Sequence, residues 1–277
     1  MRTLTLGFLN CPEVPPHELV TLAADAGFES VGIRITGRRV GDPYTPVIGN
    51  PAAIADIKAR LRDTGVRLSN VSAYHLYPDV SLRELGPLVD TTRELGARAI
   101  VVSCYDADHA RFCDTVAAYA DVAAQAGLRL AFELVPFSQA KTLGEVVKII
   151  RTVARDNFGI LVDPLHIVRS GAKPEDLRGL PRDWFVFAQL CDAPRDKPAG
   201  LDLPSEARTG RLDPGEGELP ITAILDALPP DLEIECEFPT VANLELPPLA
   251  RARKIREVAL RYLANYDRAH RARNPSS

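Results

Sequence analysis

The chain has 277 residues, of which 46% are hydrophobic and 25% charged, and its formal net charge is −4. This composition is typical of a globular protein with a large apolar core and argues against disorder. Acidic and basic residues are interspersed, so no extended basic surface is expected and nucleic acid is excluded as the main partner. The apolar stretches are too short for a signal peptide or a membrane span, which predicts a cytoplasmic protein that does not bind membranes. Five cysteines without a C-x-x-C pair indicate neither a disulfide framework nor a zinc knuckle.

Strand and helix patterns alternate along the whole chain. Strands are predicted over residues 3–9, 30–35, 66–73, 99–103, 129–134, 158–162, 185–190 and 232–238. Helices are predicted over residues 15–26, 51–64, 82–95, 107–126, 143–154, 174–180, 221–228 and 248–269. Residues 37–50 and 191–219 are rich in Gly and Pro and are predicted to be long loops.

Eight strands, each followed by a helix, predict an α/β protein with the (β/α)₈ TIM-barrel architecture. The length suits one domain covering residues 1–277. A doubly wound open sheet is the alternative, and it predicts a glycine-rich phosphate-binding turn after an early strand. The turn that follows Leu9 lacks the G-x-G-x-x-G pattern, which favours the barrel.

Four oxygen-bearing side chains stand at or just beyond the ends of predicted strands: Glu133, Asp163, Gln189 and Glu237. Because the carboxyl ends of all barrel strands open onto one rim, these side chains are expected to converge. Carboxylate and amide oxygens without a thiolate suit a divalent cation such as Mg²⁺ or Mn²⁺. Other roles remain open: Glu133 could pair with a buried arginine, Asp163 could cap a helix, and Gln189 could be a hydrogen-bonded core residue.

The last predicted strand carries glutamate at every second position, namely Glu233, Glu235 and Glu237. Side chains two residues apart share one face of a strand, and the apolar residues between them should pack against helices. The glutamates are therefore expected to point toward the barrel axis. Glu237 is nearest to the rim and is the predicted ligand, whereas Glu235 would lie one layer deeper in a supporting or ion-paired role.

Several further residues are predicted to reach the same rim. Arg34 and Arg208 are candidates for binding an anionic or polyhydroxylated substrate, since guanidinium groups match neighbouring oxygens. An ion pair with a buried glutamate is the alternative for Arg34. Tyr74 and His75 follow strand three and could line a substrate pocket, although a structural role is the alternative for His75. His166, three residues after Asp163, could reach substrate while the aspartate binds metal.

The order of these residues resembles the xylose-isomerase-like TIM-barrel superfamily, which includes sugar phosphate isomerases and epimerases, inosose dehydratase and 3-dehydroshikimate dehydratase. The resemblance rests on Glu133, Asp163-x-x-His166, Gln189-x-x-Asp192, Arg208, the Pro214-Gly-Glu-Gly217 segment and Glu237. It implies that Glu133, Asp163, Gln189 and Glu237 hold one divalent metal, with His166 and Arg208 near the substrate.

Residue 189 relates the chain to one branch of this superfamily. Most members of the superfamily have histidine at this position, whereas Gln189 and the continuation to Asp192-Ala-Pro194 resemble the 3-dehydroshikimate dehydratase branch. That branch tends to have an arginine at the end of strand three, where this chain has Tyr74 and His75.

The resemblance implies a divalent-metal-dependent isomerase or epimerase that acts on a keto sugar, sugar acid or cyclitol through an enediolate. Glu133 and Glu237 would bind the metal and carry protons, and Mn²⁺ or Mg²⁺ is expected, with Co²⁺ and Zn²⁺ as alternatives. The alternative activity is a dehydratase in which His166 acts as base or acid.

Two other classes fit less well. A DNA-repair endonuclease on the same barrel would use additional histidine ligands for a multi-zinc site, and at most two or three of the five histidines here are expected to reach the rim. A catalytically silent binding protein would be expected to have lost ligands, and none of the four predicted ligand positions is apolar. The expected partner is a small polyhydroxylated substrate, and a homodimer is possible.

Overall fold

The computed structural model describes residues 2–37 and 44–273. Within them, eight parallel strands form a closed barrel in sequence order, and the last strand pairs with the first. The strands are β1 (Leu4–Leu6), β2 (Ser30–Ile33), β3 (Arg67–Leu76), β4 (Ala99–Cys104), β5 (Arg129–Glu133), β6 (Phe158–Val162), β7 (Phe185–Leu190) and β8 (Ile234–Cys236). The predicted TIM barrel is confirmed, because an open sheet would leave two unpaired edges.

Helices follow the strands and pack around the barrel. They are α1 (Pro16–Asp25), α2 (Pro51–Thr64), α3 (Leu82–Leu95), α4 (His109–Gln125), α5 (Leu143–Val153), α6 (Pro164–Arg169), α7 (Pro174–Arg178), α8 (Leu203–Thr209), α9 (Ile221–Ala227), α10 (Val241–Leu244) and α11 (Pro248–Arg273). None of those in the described ranges combines the length and the apolar character needed to cross a bilayer.

Local sequence sets the ends of several helices. The side chain of Asn50 accepts a hydrogen bond from the Ala53 N–H at the start of α2, and Gly65 ends that helix in the left-handed conformation with φ 72°. Thr142 and Glu145 form a reciprocal capping box at the start of α5. Asp163 caps α6, so a predicted metal ligand also fixes the turn that carries His166.

Three segments differ from the prediction. Residues 191–219 are not one loop, because α8 lies within them, and the short helices α6 and α10 lie in stretches for which no helix was predicted. Helices of four to seven residues bury few side chains and leave little hydrophobic periodicity in a sequence. Part of the predicted loop at 37–50, residues 38–43, lies outside the described residues.

The apolar core has two parts. The larger part lies between the strands and the surrounding helices. A smaller cluster is formed by Ala99, Val101, Ala131, Leu161 and Phe187, whose strand positions alternate with those of the larger core. Alternation along a strand therefore assigns this cluster to the barrel interior, which is packed rather than open.

Candidate metal and substrate site

One pocket opens at the rim where the strands end. Its lining includes six of the predicted site residues, namely His75, Glu133, His166, Gln189, Arg208 and Glu237, together with Phe8, Ser72, Tyr105, Phe137 and Arg211. The barrel thus brings together side chains that are separated by more than 100 positions in the sequence. Asp163, Tyr74 and Arg34 are not among the lining residues.

Glu133, Asp163 and His166 each offer one ligand atom, and these atoms lie within 4.8 Å of one another. Glu133 Oε1 is 4.0 Å from His166 Nε2, and Glu133 Oε2 accepts a 3.4 Å hydrogen bond from the Ser103 hydroxyl. Glu133 also lines the rim pocket, so its carboxylate faces the space that a cation or a substrate would occupy. We had predicted His166 near the substrate, and the geometry also puts it within the group of possible ligands.

Asp163 is buried and already has several partners. Its Oδ1 accepts from the backbone N–H groups of Leu165 (2.8 Å) and His166 (3.2 Å), and its Oδ2 accepts from Arg211 Nη1 (2.7 Å). Burial is the largest single influence and would raise the pKa of Asp163, but the charges of Arg211 and His166 and the hydrogen bonds to the carboxylate together outweigh it and the pKa is lowered. Asp163 therefore remains ionised, as a metal ligand must.

Arg211 is fully buried and connects two predicted ligands. Besides its bond to Asp163, its Nη2 lies 3.5 Å from Glu237 Oε2, and its Nε donates to the Ala207 carbonyl (2.8 Å). Burial would lower the pKa of Arg211, whereas the carboxylate of Asp163 raises it, with a net increase. The guanidinium thus offsets part of the negative charge that three carboxylates bring to the rim.

His166 lies in an apolar part of the pocket wall, where the Phe137 ring meets its imidazole edge-on at a centroid distance of 5.9 Å. Burial lowers the pKa of His166 to about 4, although the charge of Asp163 acts in the opposite direction. The imidazole is therefore neutral at pH 7 and can bind a metal or accept a proton.

Gln189 offers an acceptor that no group in the described part of the chain uses. Its Nε2 donates to Glu235 Oε1 (3.0 Å), while its buried Oε1 has no hydrogen-bond partner among the described residues. A buried amide oxygen without a partner is costly, and the pocket that it lines is the place where a ligand would satisfy it. Gln189 thus fits the amide-oxygen ligand that we predicted, and the whole donor set suits a hard or borderline divalent cation.

The three glutamates in and beside β8 lie at different depths, in the order that the sequence predicts. Glu237 reaches the pocket, while Glu235 lies deeper and accepts hydrogen bonds from Gln189 and from Asn70 Nδ2 (2.6 Å). Glu233 contacts Thr5 by a hydrogen bond and lines a cavity that does not share residues with the rim pocket. Burial, and then the nearby Glu237 carboxylate, raise the pKa of Glu235 to about 8.

The segment after β7 is held in place by two buried carboxylates. Asp192 Oδ2 accepts from the N–H groups of Gly215 (2.9 Å) and Gly217 (3.0 Å), so this aspartate shapes the Pro-Gly-Glu-Gly turn. Arg169 of α6 forms a bidentate pair with Glu206 of α8, at 2.6 and 3.0 Å. These contacts hold α8 against the rim, where the exposed side chain of Arg208 lines the pocket.

Two of the four predicted substrate-binding residues do not line the pocket. Tyr74 is adjacent in sequence to His75, so the two point to opposite faces of β3; Tyr74 packs against the outer core, which corrects the prediction. Arg34 stacks its guanidinium 4.3 Å from the centroid of Phe8, and it is Phe8 that lines the pocket. His75 does line the pocket, stacked on Tyr105 at a centroid distance of 4.3 Å.

Arg211 and Asn70 are the contributions that the sequence analysis missed. Arg211 lies three residues after Arg208, in a stretch predicted to be loop, and nothing in its neighbours shows that it turns inward. The need for positive charge beside three converging carboxylates was the one available signal. Asn70 lies in a strand that also contains Ser69 and Ser72, so it does not stand out in the sequence as Gln189 does in the apolar strand β7.

The chain is similar in sequence to a known protein family and to two enzymes of known activity. The model of the family described as "Xylose isomerase-like TIM barrel" matches residues 20–261. A curated 3-dehydroshikimate dehydratase from Pseudomonas aeruginosa is 26% identical over 223 residues, which are 76% of this chain and 33% of that protein. An inosose isomerase from Bacillus subtilis is 30% identical over 135 residues, covering 48% of this chain and 45% of that protein.

The chain therefore spans about a third to a half of the length of these two curated relatives. Among solved structures, the IOLI protein with a bound zinc atom matches with a TM-score of 0.79 at 18% identity, covering 95% of this chain and 99% of that one. This likeness agrees with the barrel described above. Because the family model extends over most of the sequence, the chain belongs to the xylose isomerase-like TIM barrel family.

Proposed function

We propose that the protein is a divalent-metal-dependent isomerase or epimerase that acts on a keto sugar, sugar acid or cyclitol. The observation that carries the proposal is the unpartnered Oε1 of Gln189 in a pocket that also contains Glu133, His166 and Glu237. These residues, with Asp163 beside them, would hold the cation. The names of the relatives, an inosose isomerase and a zinc-bound IOLI protein among them, support the same class of chemistry.

The cation, when bound, would polarise a substrate carbonyl and stabilise the charge of the enediolate. The protein's own groups supply proton transfer. Glu133 keeps 12% of its side chain exposed and lines the pocket, so its carboxylate can approach a carbon-bound proton of the substrate. The neutral imidazole of His166 lies beside it and can accept or relay that proton.

The remaining lining residues would bind and orient the substrate. Arg208 presents an exposed guanidinium that can bind substrate hydroxyl or carboxylate oxygens. The stacked rings of His75 and Tyr105 form a flat wall suited to the C–H face of a sugar or cyclitol. Arg211 holds Asp163 and Glu237 in position and is too deeply buried to move with the substrate.

A dehydratase is the second candidate, and one observation favours it. The relatives with the longest match are 3-dehydroshikimate dehydratases, and Gln189 is part of the resemblance to that branch described in the sequence analysis. In such a reaction the Glu133–His166 side would remove a proton next to the carbonyl, and a neighbouring hydroxyl would leave as water after protonation. Both reactions begin with the same proton removal, so they differ only in whether water is lost.

The test is turnover in D₂O followed by NMR. Purified protein would be incubated with keto sugars, inososes or 3-dehydroshikimate, in the presence of Mn²⁺, Mg²⁺, Co²⁺ or Zn²⁺ and in parallel with a chelator. Because Mn²⁺ is paramagnetic, it is removed before the spectra are recorded. Deuterium at the carbon next to the carbonyl, without loss of water, is the result expected of an isomerase or epimerase. Ultraviolet absorbance from an aromatic product of 3-dehydroshikimate would select the dehydratase, and turnover unaffected by the chelator would contradict both.

A further inference from the structure

We infer that Glu235 is a positioning residue that sets the rotation of the Gln189 amide and so directs its Oε1 toward the bound cation. Glu235 does not line the pocket, and the site predicted from sequence assigns it no definite role. The inference rests on the proposed function in one respect, namely that this site holds a divalent cation.

The first support is the hydrogen-bond network below the rim. Both oxygens of the buried Glu235 carboxylate accept from side-chain amides, Oε1 from Gln189 Nε2 at 3.0 Å and Oε2 from Asn70 Nδ2 at 2.6 Å. Glu235 and Gln189 are paired in register on β8 and β7, so the backbone holds the two side chains next to each other. Ser72 donates in turn to Asn70 Oδ1, which keeps that amide in the matching orientation.

The second support is the chemistry of the acceptor. The positive charge of a bound divalent cation would lower the raised pKa of Glu235 and favour its ionised form. An ionised carboxylate can only accept hydrogen bonds, whereas a primary amide donates through nitrogen and accepts through oxygen. A Gln189 amide rotated by 180° would place its oxygen against Glu235 and its nitrogen toward the other predicted ligands. The carboxylate excludes that state by electrostatic repulsion, so the metal-facing atom of Gln189 is an oxygen.

The third support is the space kept for this carboxylate. A Cβ atom at Gly32 would lie 2.6 Å from Glu235 Oε2 and 3.0 Å from Asn70 Oδ1, and a Cβ atom at Gly7 would lie 3.1 Å from Glu235 Cγ. Gly32 does not have a positive φ, so its backbone conformation does not require glycine. Its lack of a side chain instead leaves room for the Glu235–Asn70 hydrogen bond.

The test compares Glu235→Gln with Glu233→Gln by titrating each protein with Mn²⁺ and measuring free Mn²⁺ by electron paramagnetic resonance. The amide introduced at position 235 has a single oxygen, so it must turn an N–H group toward either Gln189 or Asn70, and both of these side chains donate to residue 235. The orientation of the Gln189 amide is then no longer fixed. Loss of such an outer hydrogen bond typically weakens metal affinity about 10- to 100-fold, and we expect that for Glu235→Gln. Glu233→Gln makes the same change on the same strand face, away from the pocket, and should bind Mn²⁺ like the wild type.

A reciprocal variant separates orientation from general damage to the fold. In Gln189→Glu/Glu235→Gln, the amide at 235 can donate to the carboxylate at 189, which still offers an oxygen to the cation, so affinity should return to within a fewfold of the wild type. In Gly32→Ala the added methyl group would displace the carboxylate of Glu235. This variant should therefore bind Mn²⁺ more weakly than the wild type, as Glu235→Gln does.

Two outcomes have different meanings. If the wild type binds no Mn²⁺, Mg²⁺, Co²⁺ or Zn²⁺, the proposed function itself fails. If the wild type binds Mn²⁺ and folded Glu235→Gln binds it equally well, or if the reciprocal variant binds no better than Glu235→Gln, only the positioning role of Glu235 is overturned. Urea unfolding of each variant establishes that the compared proteins are folded.

Discussion

The two sides of the pocket hold their carboxylates in different ways. On one side Asp163 and Glu237 share the buried guanidinium of Arg211, with a shortest contact of 2.7 Å. On the other side Glu133 is partly exposed and lies 4.0 Å from His166. A buried carboxylate paired with a guanidinium is held in one position and is a poor base, whereas a partly exposed carboxylate that lines a pocket can exchange protons with a ligand. The Arg211 side is therefore suited to holding the site together and the Glu133 side to chemistry.

The largest expected effect concerns the Glu133 side. Glu133→Gln removes a general base or acid while keeping the shape, so we expect turnover of the identified substrate to fall about 10²- to 10⁴-fold. The free energy of unfolding should change by no more than about 1 kcal/mol, because glutamine keeps the size of the side chain and its ability to accept and donate hydrogen bonds. Deuterium exchange and urea unfolding measure the two quantities. Glu216→Gln, on an exposed turn, is the control, and a loss of stability as large as the loss of activity would refute the distinction between the two sides.

The next effect concerns the Arg211 side and should appear in stability. Arg211→Met leaves Asp163 and Glu237 buried without their shared cation, and breaking a buried ion pair in this way typically costs about 3–5 kcal/mol. Urea unfolding measures the loss. Arg208→Met is the matched control, since that side chain is exposed and should change stability by less than about 0.5 kcal/mol. Equal stability of the two variants would show that Arg211 is not the structural centre of the site.

A third effect comes from His166 and depends on pH. The folded protein holds the pKa of His166 at about 4, below its ordinary value of 6.5, so only the unfolded chain takes up this proton between these pH values. Stability is therefore lost as pH falls from 6.5 toward 4, by up to about 1.4 kcal/mol for each pH unit. Measured in the absence of added metal, His166→Gln should have a shallower decline than the wild type. His17→Gln, at a partly exposed position, should keep the wild-type slope; identical slopes for all three proteins would contradict the prediction.

The smallest expected effect is on the KM for substrate and concerns Arg208, whose predicted role is substrate binding, unlike that of Arg211. Because Arg208 is exposed and lines the pocket, Arg208→Met should raise the KM for the identified substrate about tenfold, equivalent to about 1.4 kcal/mol, with little change in kcat. Steady-state kinetics measure both constants. A fall in kcat at unchanged KM would move Arg208 from substrate binding to the chemical step.

The sequence was most informative where periodicity was strong. The bounds of α3, β6 and β7 match the predicted ranges, and the order of strands predicted which residues would meet at the rim. The sequence analysis ended strand three at residue 73 and expected both Tyr74 and His75 on the rim after it, whereas β3 continues to Leu76 through its pairing with β4 and the two side chains alternate. A shift of one residue reverses the face of every side chain on a strand.

The contacts of Arg211 could not be predicted for a different reason. Its position follows from α8 and from the bridge between Asp192 and Leu212, and both are tertiary features with little local signal. Arg208 and Arg211 are both arginines in the same segment, and only the fold shows that one is buried and the other exposed. Glu235 was correctly predicted to lie deeper than Glu237, because it comes two residues earlier in a strand whose C-terminal end is at the rim.

Arg169 contacts both ends of the segment between β7 and α8. It donates to the carbonyls of Pro194 and Arg195 at one end and to the Glu206 carboxylate at the other. The seven residues 196–202 lie between these contacts and before α8, so they form a loop whose base is held by one side chain. Insertions within residues 196–202 should therefore leave the side chains that line the rim pocket in place, which makes this loop a suitable position for loop grafting to change substrate preference.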